Sequence, residues 1–280
     1  LYGIQLTRIV TITRAQVDTS SRPVRLTVGA EPIELPEILG HAIVELQSLP
    51  QIIGTRDEQA RRRAGELFSL LTDQLVHTTP EEAELAKLFT NAWRYIKFAA
   101  ANQFFMIAND FGLDYERVRY AITHEYPRAA DLPAAGFAAG PCLFKDTMQL
   151  AAFNDNHFPL GQASVAVNEG LPLYLTARIE EDFPLRDMTV GILGMAFKGG
   201  SDDTRSSLSY KLRRIMRFKA RDVLCTDPYV TTDPTLVPLT EVLDSADLLI
   251  VAAPHPQYES LPAAVPVVDI WNLDGRGVRI

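Results

Sequence analysis

The sequence has 280 residues, 47% of them hydrophobic and 22% charged, with a net charge of −8 and a pI near 5.2. This is globular composition, long enough for about two domains, and its acidity argues against a phosphate-backbone partner, so no nucleic acid is expected. No apolar run reaches the ~18 residues of a membrane span and no signal peptide opens the chain, so no membrane partner is expected, while two cysteines speak for a reducing, cytoplasmic setting.

In chain order, residues 1–36 hold short β-like pieces, at 9–12 and 24–28, among turn residues and without clean strand–helix alternation. From Pro36 the pattern sharpens. Residues 37–46 read as helix, 51–54 as a short strand ending at glycine, 56–71 as an amphipathic helix and 74–78 as a last short strand. That is the closing part of an α/β domain. Thr79-Pro80-Glu81-Glu82 then starts a helix: a threonine cap, proline at the first helical position and glutamate three residues after the cap. No breaker follows until about Asp110, with Gly112 as the stop. About 30 residues make a helix of about 45 Å, a length that bridges domains or forms a subunit interface. Lys87, Asn91, Phe98 and Asn102 lie along one stripe of it, for which a solvated face is the plain alternative.

Residues 113–124 predict a shorter helix, and the Pro- and Ala-rich loop 126–141 leads to Cys142 and an amphipathic run over 143–153. A cysteine at a helix start meets the positive end of the helix dipole, which favours thiolate. Lys145, on roughly the same face, adds to that bias. Asp146 opposes it, but a carboxylate beside a nucleophile can act as general base for water. The plain alternative is a small buried hydrophobe. A further helix covers 164–181, and Pro184 marks a boundary.

The last hundred residues alternate strands (188–194, 222–227, 248–253, 265–270) with helices (208–218, 239–243). Short apolar strands separated by helices predict a doubly wound parallel sheet, which binds ligands at the C-terminal ends of its strands. The polar residues there are Lys198, Asp203, Arg205, Asp227, His255, Asp269 and Asn272; Cys225, inside a strand, reads as structural.

Three stretches together resemble the UDP-glucose/GDP-mannose dehydrogenase family of NAD-dependent nucleotide-sugar oxidases. Ala83-Glu84-Leu85-Ala86-Lys87 with Asn91 is similar to its central-helix motif, and Gly140-Pro141-Cys142-Leu143-Phe144-Lys145-Asp146 to its catalytic-cysteine motif. Gly194-Met195-Ala196-Phe197-Lys198, with Asp203-Thr204-Arg205-Ser206-Ser207, is similar to its nucleotide-domain motif. Asp227-Pro228-Tyr229, Ala246-Asp247 and Asp269-Ile270-Trp271-Asn272 extend the likeness, which covers about residues 36–280.

The resemblance implies an α/β protein in three parts: an incomplete N-terminal Rossmann-like domain (1–78), a central all-helical domain with one long helix and the cysteine (79–183), and a C-terminal Rossmann-like doubly wound parallel sheet that binds the UDP-sugar (184–280). It implies NAD-dependent oxidation of a nucleotide sugar at C6, from alcohol to carboxylate, by two hydride transfers. The aldehyde between them is held by a thiolate as a thiohemiacetal, which the second transfer turns into a thioester for water to cleave. By resemblance Cys142 is that nucleophile, Lys87 and Asn91 stabilise developing oxyanions, and Asp146 orients or deprotonates the water. Glu37 is similar to the family's Pro-Glu acid, in surroundings shorter than the usual motif. Lys198, Arg205, Phe197 and Lys145 hold the nucleotide sugar, Lys145 also being the one candidate cofactor contact. Arg128 reaches a partner subunit's site, in a homodimer built on the long helix.

One departure matters. The family opens with a glycine-rich dinucleotide fingerprint, and no G-x-G-x-x-G occurs in this sequence. Residues 1–36 are also too few for the roughly five or six strands of a complete nucleotide domain, so much of that domain is expected to be absent from this sequence. No metal is expected. The competing class is a nucleotide-sugar-binding protein without redox activity, which would need none of Cys142, Lys87, Asn91 and Asp146; a related hydroxyacid dehydrogenase would need no cysteine. Lys145-Asp146 leans towards a UDP-glucose substrate, with UDP-N-acetylated sugars open.

Overall fold

The computed structural model describes residues 17–21, 23–27, 32–35, 40, 44, 47–261, 265–275 and 277–278. The strand expected at 9–12, most of the helix expected over 37–46, and Glu37 lie outside them. The chain divides into two compact units, Leu1–Lys87 and Leu88–Ile280.

In the first unit, β1 (Val17–Asp18), β2 (Arg25–Thr27) and β3 (Pro32–Glu34) form a small antiparallel sheet. β4 (Gln51–Gly54) and β5 (Leu75–Thr78) pair in parallel, with α1 (Glu58–Phe68) between them in sequence. That helix is shorter than its amphipathic pattern predicts. The Asp57 side chain caps it by accepting the Ala60 N–H at 2.7 Å, so it starts after Arg56, and turns closed by Leu70 and Leu71 end it early.

Helix α2 (Pro80–Asp110) has the predicted bounds because its capping box forms: the Thr79 hydroxyl accepts the Glu82 N–H at 3.3 Å and Glu82 accepts the Thr79 N–H at 2.9 Å. In the second unit its inner face (Ala101, Phe105, Ala108) packs against Leu171, Leu175 and Ile179 of α5 (Pro159–Asp182). Each large apolar side chain so buried contributes about 1.5–3 kcal/mol. The sequence pattern places the start of α5 at Ser164, but Pro159 takes the first helical turn, where its missing N–H costs nothing. Ser164 is no cap; its hydroxyl donates to the Leu160 and Gly161 carbonyls. α3 (Tyr115–Thr123) begins at the Asp114 cap, and α4 (Leu143–Phe153) has the bounds its amphipathic run predicts.

The C-terminal part is a four-stranded parallel sheet, order β7-β6-β8-β9: β6 (Thr189–Leu193), β7 (Asp222–Thr226), β8 (Leu248–Val251) and β9 (Val267–Asp269). Alternation along the strands splits the core. Val190, Ile192, Leu248 and Ile250 pack with α5 and α6 (Leu208–Lys219), while Leu193, Leu249 and Val251 pack with α7 (Leu239–Ser245). The chain leaves β6 in both directions across the sheet, so the strand order reverses at β6.

Candidate active site

Cys142 is the N-cap of α4, exposed, and its side chain makes no capping hydrogen bond. Pro141 before it and the apolar face of α4, with Leu143, Leu150 and Ala151 buried, set where the helix begins. One turn on, the Asp146 N–H donates to the Cys142 carbonyl at 2.8 Å, and the Asp146 carboxylate is wholly buried. Asn91, projecting from α2, donates its Nδ2 to Asp146 Oδ2 at 2.5 Å. Lys145 Nζ stands 3.5 Å from Asp146 Oδ1, so this lysine faces its neighbour's carboxylate. The arrangement puts an exposed thiol, an amide and a carboxylate at the meeting of two helices. Lys87 is exposed on α2, one helical turn before Asn91.

The loop that delivers Cys142 is tied to both neighbours. Asn102 bonds Gly136 twice, donating to its carbonyl at 3.0 Å and accepting its N–H at 2.9 Å. It also donates to Asn168 Oδ1 at 2.9 Å, and Asn168 donates to the Tyr95 carbonyl at 3.0 Å. Both asparagines are fully buried. The stripe read from Lys87 to Asn102 therefore divides. Asn91 reaches the cysteine helix, Phe98 packs with Tyr95, Ala138 and Leu143, and Asn102 is a buried clamp rather than part of a solvated face. Sequence reading missed Asn168 as its counterpart; the signal was an asparagine on the face that carries Leu171, Leu175 and Ile179.

At Gly140 the backbone (φ +107) is one that residues with a Cβ avoid, and a Cβ there would lie 2.8 Å from the Phe197 ring. The Gly140 N–H points to the Ser206 carbonyl at 3.5 Å. Thus the loop after β6 touches the cysteine loop. In the β6 loop, Lys198 Nζ lies 5.8 Å from the Phe197 ring, and Arg205 forks onto Asp203 (Nη2–Oδ2 2.7 Å, Nε–Oδ1 3.0 Å). The Arg205 side chain stays 73% exposed. Its hydrogen bonds hold the Asp203 carboxyl below the usual range.

At the ends of β6, β7 and β8, Asp227 and His255 form a buried pair at 3.0 Å. Burial works against the Asp227 charge. Hydrogen bonds from His255 and from the Ala196, Tyr229 and Met195 N–H groups outweigh it and hold the carboxyl at about 2. At β9, burial raises the Asp269 carboxyl above its ordinary value, although the Trp271, Asp274 and Leu273 N–H groups oppose this. Asn272 accepts the Gly277 N–H at 2.7 Å, a structural role. Cys225 is buried, which pushes its thiol up to about 11. Arg128 is exposed in the turns after α3. Among the described residues no cluster could hold a metal ion, and no helix is long and apolar enough to cross a membrane.

Residues 81–170 match the central domain of the UDP-glucose/GDP-mannose dehydrogenase family, and residues 191–277 match its UDP binding domain. A UDP-N-acetyl-D-mannosamine dehydrogenase from Pyrococcus horikoshii is 32% identical over 248 residues, covering 86% of this chain and 56% of that protein. A protein of the same name from Methanocaldococcus jannaschii is 28% identical over 224 residues, 79% of this chain and 52% of the relative. Among solved structures, a UDP-glucose dehydrogenase from Pyrobaculum islandicum superposes with a TM-score of 0.75 at 26% identity, over 84% of this chain and 59% of that one. The chain spans little more than half the length of these curated relatives.

Proposed function

The chain belongs to the UDP-glucose/GDP-mannose dehydrogenase family, and from that premise we propose that it serves the oxidation of a UDP-sugar at C6 from alcohol to carboxylate. The observation that carries this reading is the 2.5 Å bond from Asn91 to the buried Asp146, one turn from the exposed Cys142. A protein that merely binds a nucleotide sugar has no use for a nucleophile, an amide donor and a carboxylate gathered in this way. NAD would supply the hydride acceptor for the two oxidations. The glycine-rich turn that cradles a dinucleotide is absent from this sequence, and the roles below are those of the chain's own groups.

After the first oxidation, the Cys142 thiolate adds to the C6 aldehyde, and the carbonyl oxygen takes up negative charge. Lys87 and Asn91 are the cation and amide donor on α2 that would stabilise that oxyanion. The second oxidation converts the thiohemiacetal to a thioester. Water adds to it, losing a proton towards Asp146, and the C–S bond breaks to release the acid and the thiol. Lys198, Arg205 and Phe197 would hold the nucleotide, with Lys145 near the sugar. The substrate class is a UDP-sugar; an N-acetylated hexosamine comes first because the curated relatives bear that name, with glucose second.

An anion at the C-terminal edge of this sheet meets helix N-termini and their N–H groups. Isothermal calorimetry of the chain should therefore show UDP binding with NAD absent. Arg205→Ala should weaken it by about 1.5–3 kcal/mol, the worth of a hydrogen bond to a charged group. Unchanged affinity in both Arg205→Ala and Lys198→Ala would place the nucleotide elsewhere.

The partner is a second copy of the chain. Phe89, Trp93, Phe104 and Ile107 on α2 are each about half exposed. Trp93 and Phe104 border an apolar groove of ≈ 210 Å³ with Ile122, Leu132 and Pro133. Such a stripe is covered most simply by its symmetry mate, and Arg128 would then serve the partner's site. Light scattering should give twice the chain mass at micromolar concentration, and a Trp93→Glu variant should give the chain mass. A monomeric wild type would remove the dimer.

A further inference from the structure

The reversal of strand order at β6 places a ligand crevice at the C-terminal ends of β6 and β8. The loop carrying Lys198 and Arg205 borders that crevice, and its conformation rests on two buried side chains that touch no part of the cysteine site. Asp227, after β7, accepts the N–H groups of Met195 (2.6 Å) and Ala196 (2.9 Å) at the start of the loop, and those of Tyr229 (2.8 Å) and Val230 (3.0 Å) on its own turn. His255, after β8, reaches the loop's far bend, where the Gly200 N–H lies 3.1 Å from Nδ1. An amide N–H can only donate, so Nδ1 carries no proton, and Nε2 carries the one it donates to Asp227 Oδ2 at 3.0 Å. Both side chains are wholly buried. The imidazole is held between the Tyr229 ring at 5.1 Å and the Tyr258 ring at 5.6 Å. A side chain at Gly199 would run into the Pro254 carbonyl oxygen, so the loop and the turn after β8 meet backbone to backbone.

We propose that Asp227 and His255 are positioning residues for the nucleotide: the carboxylate selects the imidazole tautomer, and the other ring nitrogen fixes Gly200 and with it the loop that presents Lys198 and Arg205. This rests on the reading of that loop as the UDP-sugar site. The physical gain is pre-organisation. A loop fastened at its start alone would have to be ordered by each arriving ligand, at the expense of affinity, whereas one pinned at both start and bend is already set.

The test uses the full chain with UDP as the probe. Nitrogen-15 NMR of the wild type should show the His255 Nδ1 unprotonated and the Nε2 protonated. His255→Leu should speed hydrogen exchange at Gly200 while leaving Val190 and Ile192 in β6 protected, and should weaken UDP binding roughly tenfold. His255→Gln, which can accept from Gly200 and donate to Asp227, should recover most of that loss; a stability effect alone would not follow this pattern. Should His255→Leu fail to fold, the isosteric Asp227→Asn takes its place. Its amide nitrogen replaces one of two oxygens that each accept backbone N–H groups, so it breaks the anchorage of the pair and weakens UDP to a similar extent. A wild-type imidazole protonated on Nδ1, or unchanged UDP affinity in a folded His255→Leu or Asp227→Asn chain, overturns the positioning role. A wild-type chain that fails to bind UDP overturns instead the reading of the site, and the tautomer and Gly200 exchange still judge the pair.

Discussion

Replacing Cys142 with alanine is expected to bring acid formation from a UDP-sugar below detection, a loss on the order of a thousandfold or more, while leaving the fold and UDP affinity unchanged. The side chain is exposed and caps nothing, so removing its sulfur leaves no cavity and no orphaned partner. The second oxidation, in contrast, has no substitute for it: a free aldehyde would have to be hydrated and held by other groups. Cys142→Ser should behave like alanine, because a hydroxyl is a far weaker nucleophile than a thiolate. In a preparation that turns over substrate, the wild type should yield two NADH per sugar consumed. Mass spectrometry of a slow variant such as Asn91→Ala should find the sugar attached to the cysteine. Full turnover by Cys142→Ala would remove it from the mechanism.

Asn102→Leu is expected to destabilise the second unit by about 3 kcal/mol, since it strands the Gly136 N–H and carbonyl and the Asn168 side chain away from water. For a unit of this size that is a fall in melting temperature of about 6–12 °C. The variant should also expose the cysteine loop to proteolysis, because Gly136 begins the segment that ends at Cys142. A cycle with Asn168→Ala should show coupling of about 0.5–3 kcal/mol, as side chains in one network do. A change below about 0.5 kcal/mol in Asn102→Leu would mean that the clamp is dispensable and the loop is held elsewhere.

The local parts of the site are legible in the sequence. The capping box at Thr79 and Glu82 is a contact between residues three apart, so residue type and spacing determine where α2 begins. The alternation of short apolar runs with helices led likewise to the parallel C-terminal sheet, and the motifs around Cys142, Lys198 and Arg205 led to the family. Boundaries that depend on competition were less legible. α5 begins at Pro159 rather than Ser164 because proline fits the first helical turn, and within the helix the serine hydroxyl turns back onto the Leu160 and Gly161 carbonyls.

Residue type and local spacing therefore specify the set of chemical groups and the elements that carry them. The tertiary structure alone decided which of them meet. Asn91 and Asp146 are 55 positions apart, Asn102 and Asn168 66 apart, and Asp227 and His255 28 apart. Nothing in either member of such a pair indicates its mate. A buried amide or carboxylate must find a hydrogen-bond partner, but which partner it finds depends on how the helices and strands pack, and that packing is a property of the whole core rather than of any local stretch.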